Sequence, residues 1–116
     1  MLPLDLSTFE IELDNDIVPR NIYDEDGNRT DRQERDDQGF LVWSTTISVY
    51  QGVEKEGEYR LQIHAAIEPV IERTGRHTLV NLIDPMVRIW QSPNGQGCNL
   101  HCWGIENAQG SSDSKK

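Results

Sequence analysis

Read at alternate positions, the strand-forming stretches of this chain carry an unusual set of side chains. They are Tyr50, then Arg60-Gln62-His64, then Arg88 and Trp90, then Asn99-His101-Trp103. A solvated strand face is ordinarily Lys, Glu and Ser. Aromatic rings, imidazoles and guanidiniums instead suit flat bases and phosphates. Stacking a base on an aromatic side chain contributes about 1–3 kcal/mol. Tyr50, Trp90 and Trp103 are the candidate platforms, with His64 and His101 as weaker ones. Arg60, Arg76 and Arg88 are the candidate phosphate contacts. If phosphates anchor the ligand, binding falls steeply with salt.

The residues between these positions define what must hold them. Leu41-Trp43-Thr45-Ile47-Val49, Tyr59-Leu61-Ile63, Val87-Ile89 and Cys98-Leu100-Cys102 are mostly apolar and can line one core. Trp43 falls on this apolar side. The period of two predicts strands. They are Thr8 to Leu13 with a continuation at Ile17-Val18-Pro19, Phe40 to Tyr50, Glu58 to Ala65, Thr78 to Ile83, Met86 to Gln91, and Cys98 to Glu106. Gln51 to Gly57 reads as a hairpin loop, and Ser92-Pro93-Asn94-Gly95-Gln96-Gly97 as a turn. Residues 66–75 carry Pro69 and form a crossing segment with room for one helical turn. A single domain over residues 1–107 follows from the length of 116 residues, with a disordered tail from 108 to 116. Five or six short strands, one crossing and one long early loop fit an all-β, five-stranded Greek-key barrel of the OB type.

The net charge of −9 is distributed unevenly. Residues 1–38 hold 12 Asp and Glu against 4 Arg, whereas residues 39–104 hold 6 acidic against 5 basic side chains. The acid is therefore local and the barrel nearly neutral. The densest stretch, residues 24–38, has no hydrophobic period and reads as a long, mobile loop after the first strand. Its Arg29, Arg32 and Arg35 can reach an anionic ligand. Asp24-x-Asp26-Gly27 falls out of register with a calcium loop, which needs Gly at position 6 and Glu at 12.

Several classes are disfavoured. Cys98 and Cys102 lie four residues apart, roughly 13 Å along a strand, too far for a disulfide, which spans no more than about 7 Å between Cα atoms. They read as small core residues. No Gly-x-Ser-x-Gly turn, Gly-rich phosphate loop or two-His zinc helix is present. A non-catalytic protein without metal or cofactor is expected. No apolar run approaches 18 residues, and Met1 to Asp5 lacks a basic, apolar leader, so a cytoplasmic protein away from membranes is expected.

The order of strand, Gly and Trp positions resembles a known group. Arg35-Asp36-Asp37-Gln38-Gly39-Phe40-Leu41-Val42-Trp43 leads into an alternating strand. A hairpin and second strand follow, then Gly75-Arg76 before Leu79-Val80-Asn81-Leu82, then Val87-Arg88-Ile89-Trp90 and a Gly-containing turn. Over roughly residues 35–106 this resembles the small OB-fold proteins of actinobacterial plasmids and integrative elements. Those are similar to filamentous-phage gene V type single-stranded DNA-binding proteins. The resemblance implies single-strand binding during replication or transfer, often as a dimer, through the polar face of the 41–50 strand with Arg60, Arg76, Arg88 and Trp90. The chain departs from the pattern in its acidic segment 24–37. That segment motivates a second expectation, an acidic phage- or plasmid-borne inhibitor that imitates nucleic acid and binds a basic protein partner.

Overall fold

Alternation along the sequence becomes alternation across a curled sheet. The computed structural model describes residues 1–73 and 77–108. In chain order the strands are β1 (Leu2–Pro3), β2 (Glu10–Leu13), β3 (Val18–Pro19), β4 (Asn21–Tyr23), β5 (Arg29–Gln33), β6 (Val42–Gln51), β7 (Glu54–His64), β8 (Leu79–Ile83), β9 (Met86–Ser92), β10 (Gly95–Cys102) and β11 (Gly104–Asn107). The fold is all-β, with no helix among the described residues, so the helical turn allowed for in the crossing segment is not formed over its described part, residues 66–73. Nine strands make one curled, half-barrel sheet in the order β1-β9-β10-β7-β6-β2-β8-β11, with β3 also on β6. β4 and β5 form a separate two-stranded sheet.

β6 and β7 are the longest strands, and they meet at a turn on Gly52-Val53. Gly52 has φ +63°, the positive value that a type II′ hairpin turn requires at its first central residue. β7 then pairs in parallel with β10, through Leu61↔Leu100 and Ile63↔Cys102. β8 and β9 are almost one strand. Ile83 pairs with Gly104 and Met86 with His101, in one continuing antiparallel register. Asp84 breaks the run at φ +54° just before Pro85. Aspartate is among the few non-glycine residues that tolerate this region. The stretch expected as one last strand is likewise divided into β10 and β11 at Trp103.

The apolar half of the alternation packs as its pattern predicts. Ile11, Leu13, Trp43, Ile47, Val49, Leu61, Ile63, Val80, Leu100 and Cys102 form one buried cluster. Trp43 also donates its indole N–H to the carbonyl of Ala65 at 3.0 Å, which satisfies its polar edge inside the core. Both cysteines lie on β10 as free thiols, and burial pushes Cys102 up to about 12. Ile89 is the exception: it continues the inner alternation but is exposed at 64%, because the β9–β10 hairpin runs past the core. Among the described residues no helix is long and apolar enough to cross a membrane.

The irregular loop expected at 24–38 is corrected. β4 and β5 pair through Asn21↔Gln33 and Tyr23↔Arg29, with a bulge between. The physical reason is local turn chemistry. The Asp24 carboxylate accepts from the amides of Asp26 and Asn28, and the Gly27 amide returns to the Asp24 carbonyl. Thr30 Oγ1 donates to the Ile22 carbonyl at 2.5 Å and Asn21 Nδ2 to the Thr30 carbonyl at 2.9 Å. Backbone bonds from Arg20 to Val42, Val42 to Glu34 and Glu34 to Arg20 then root this arm on the start of β6. Arg76 and the tail from 109 to 116 lie outside the described residues.

Candidate nucleic-acid interface

The register decides which side chains share a face. Opposite the core, β6 presents Ser44, Thr46 and Ser48, and β7 presents Gln62, Arg60 and Glu58 directly across from them. On the neighbouring strands the same outer face carries His101 beside Gln62, Met86 beside His101, Arg88 beside Asn99, and Trp90 beside Gly97. The aromatic, imidazole and guanidinium set that alternates in the sequence therefore does lie on one side of the sheet. It is not, however, uniformly open.

The arm closes over part of that face and makes a cleft with the rest. Val18, Pro19, Arg20, Asn21, Ile22, Tyr23, Arg29 and Glu34 from the arm face Ser44 and Arg60 from the sheet across a space of about 480 Å³. Three guanidiniums thus converge on it. Arg20 is partly engaged, its Nε donating to Glu34 Oε1 at 2.9 Å, while Arg29 and Arg60 are exposed. The Tyr23 ring stands 64% exposed at the edge. Cations for phosphate and a free ring for a base are what a single strand requires.

The other sequence candidates are placed elsewhere. Arg88 and Trp90 sit on the projecting β9–β10 hairpin, both exposed. The Trp90 indole lies over Gly97, where an added Cβ would come within 2.5 Å of Cζ2. Glycine here is a bed for the ring. Gly97→Ala is expected to lift the indole off the hairpin, seen as a changed near-UV circular dichroism band with the far-UV spectrum retained. Arg32 is exposed on β5, and Arg35 Nη1 is turned back to the Gly39 carbonyl at 2.8 Å. Tyr50 stands at the acidic end of the sheet, opposite Glu10. Burial and then the Glu12 carboxylate raise its hydroxyl above the usual phenol value, a setting that repels phosphate.

His64 and His101 do not face solvent. They are buried under the turn at 36–40, and His64 Nδ1 meets Asp36 Oδ2 at 2.8 Å while His64 Nε2 meets His101 Nδ1 at 2.9 Å. Trp103, half-buried, stacks on the His64 ring at 4.5 Å and 10°. Burial works to raise the Asp36 carboxyl. Hydrogen bonds from His64 and from the Phe40 and Gln38 amides outweigh it and hold the group below the ordinary carboxylate value. Burial, followed by the charges of His64, Arg88, Arg20 and the N-terminus, pushes His101 down to about 4.

Arg20 and Tyr23, which line the cleft, were not singled out by the sequence pattern. Their signal was the short β-forming run Asn21-Ile22-Tyr23 ending in Asp24-Glu25-Asp26-Gly27, a strand followed by a turn. Among the described residues no group of three or more His, Cys, Asp or Glu is arranged to hold a metal ion. Comparison of the chain with family models, with curated proteins and with solved structures finds no match.

Proposed function

We propose that this protein is a non-catalytic binder of single-stranded nucleic acid built on a five-stranded OB-type barrel. Joining β8 to β9 and β10 to β11 as two bent strands gives the ring β2-β6-β7-β10/β11-β9/β8. The pair Ile11↔Val80 brings β8 back to β2. The parallel β7–β10 contact between two antiparallel hairpins fits that topology. In OB-type barrels the face of the second and third strands and the flanking loops take oligonucleotides. Here that face is β6–β7, flanked by the arm and by the β9–β10 hairpin.

The observation that carries the reading is the cleft that gathers Arg20, Arg29 and Arg60 beside the exposed Tyr23 ring. Of the carboxylates on this face, Glu10 and Glu12 lie on β2, on the other side of β6 from β7, while Glu34 is paired with Arg20 and Glu58 with Lys55. The sequence resemblance to plasmid-borne single-strand binders, with the dimeric state it implies, points the same way. A labelled oligo-dT titrated at low salt tests the class, and absence of binding at micromolar protein overturns it. Trp90→Ala is expected to weaken binding by about 1–3 kcal/mol, one stacked base. Unchanged affinity removes Trp90 from the site.

A second reading is favoured by one feature, the ordered state of the acidic arm. Exposed Asp24, Glu25 and Asp26 on a hairpin turn present carboxylates at fixed spacing, as an inhibitor imitating nucleic acid would to a basic protein. The combined change Asp24→Asn, Glu25→Gln and Asp26→Asn separates the two. A nucleic-acid binder gains affinity for oligo-dT. An imitator binds no oligonucleotide before or after, and loses retention on immobilised polylysine.

A further inference from the structure

Besides its backbone root on β6, the arm is tied to the sheet at its base by a chain of three side chains, Asp36–His64–His101. Its far end is bare: His101 Nε2 is fully enclosed and has no partner, alone in this among the buried side-chain atoms of the described residues. Three elements meet in the chain. Asp36 belongs to the turn at the base of the arm, His64 ends β7, and His101 lies near the end of β10.

The proton positions follow from counting. An ionised Asp36 can only accept, so His64 carries its proton on Nδ1 and offers a lone pair at Nε2. His101 must then donate from Nδ1, and its Nε2 is an unprotonated acceptor. Both imidazoles are neutral, and every N–H has an acceptor. A further proton has one place to go. Nδ1 of His64 is already occupied, and the nitrogen pair at 2.9 Å holds one hydrogen between the two rings. Whichever ring takes the charge, the added N–H appears on His101 Nε2, where nothing accepts it. An enclosed charged donor without an acceptor is far more costly than an enclosed bare acceptor. The groups that bear on His101 are the titratable His64 from β7 and the cations Arg88 from β9, Arg20 from the arm and the N-terminus, all of which disfavour a proton there. The carboxylate of Asp36 reaches it only through His64.

We infer that Asp36, His64 and His101 form a proton-operated clasp that holds the turn at 36–40, the base of the arm, against the sheet at neutral pH and releases that turn in acid. Lifting the turn at 36–40 breaks the Asp36–His64 bond and opens that side of the ring pair to water, the other side of His64 staying under Trp103. The sign agrees with the depressed value of His101. A group whose folded-state value lies below its free value gives stability that is complete above 6.5 and is lost as the pH falls towards about 4. Asp36, also depressed, adds a second loss at lower pH. Opening loosens the segment that carries Glu34, the ion-pair partner of Arg20, and so weakens the cleft while the arm's backbone root on Val42 stays. That consequence rests on the nucleic-acid reading above; the clasp does not.

The test follows imidazole resonances and amide hydrogen exchange by NMR from about pH 7.5 to about pH 4.5. The His101 ring is expected to take up its proton in one step. In that step the Gln38 and Phe40 amides, which donate to Asp36, lose protection by about tenfold per pH unit, while core amides of β6 and β7 stay protected. His101→Gln supplies an amide oxygen to a protonated His64, so the same amides are expected to keep their protection in acid. Unchanged protection in the parent overturns the clasp. So does equal acid opening in His101→Gln, or loss of core protection in the same step. Oligo-dT titrated at both pH values is a separate arm. If the clasp opens and binding stays constant, the link to the cleft fails. If no oligonucleotide binds at either pH, the functional reading fails and the clasp stands.

Discussion

Leu61→Ala is expected to remove about 2–5 kcal/mol of folding stability. Leu61 is fully buried. It is also where β7 is gripped from both sides, pairing with Thr45 of β6 and with Leu100 of β10. The cavity would open between two long strands whose ladders hold them at fixed spacing, so little collapse can fill it. A domain of this size is stable by about 5–15 kcal/mol in total, so the variant approaches marginal folding. Urea unfolding checks it: the midpoint should fall with the slope unchanged. A midpoint within error of the parent would mean that the sheet can close around the missing side chain.

Arg60→Glu is expected to produce the largest loss of oligonucleotide binding, at least about tenfold at low salt. Arg60 is the sheet's contribution to the cleft, across from Arg29 and Arg20. Reversal removes a phosphate partner and adds a repulsive charge among the remaining cations. The neutral change Arg60→Ala separates the two contributions. It should make the dependence of log affinity on log salt shallower by about 0.7, one phosphate of a single strand. Arg60 is exposed and opposite Thr46, so neither variant should alter the unfolding midpoint by more than about 0.5 kcal/mol. If Arg60→Glu binds as the parent does, the strand does not run through this cleft.

Much of this arrangement is legible in the sequence for one reason: a strand's period is two. Once Trp43, Ile47, Leu61, Ile63 and Leu100 are assigned inward, the outward direction of Arg60, Arg88, Trp90 and His101 follows without knowledge of the pairing. What alternation cannot convey is what lies on top of the outward face. His64 and Trp90 have the same parity on their strands. One is enclosed by the 36–40 turn while the other projects on a hairpin that outruns the core. The covering element was hidden because the arm has no apolar period. Its order comes from side chain to backbone bonds at Asp24, Thr30 and Asp36, and such bonds depend on turn geometry more than on hydropathy. The same blindness concealed Arg20 and Tyr23. It also made the excess acid look like an obstacle to the face, when part of it, Asp36, is bonded to His64 and ties the base of the arm to the sheet.

The register shared by β8–β11 and β9–β10 bears on how the chain finds its fold. Two hairpins, β6–β7 and β9–β10, close on turns of two residues and can form early with little loss of chain entropy. The remaining contacts are remote in sequence, Ile11 with Val80 and Leu61 with Leu100. Folding should therefore be limited by the docking of two preformed hairpins, in the millisecond-to-second range typical of non-local β topologies. Truncations at Ile11 or Val80, on the closing pair, should speed unfolding and leave the folding rate nearly unchanged.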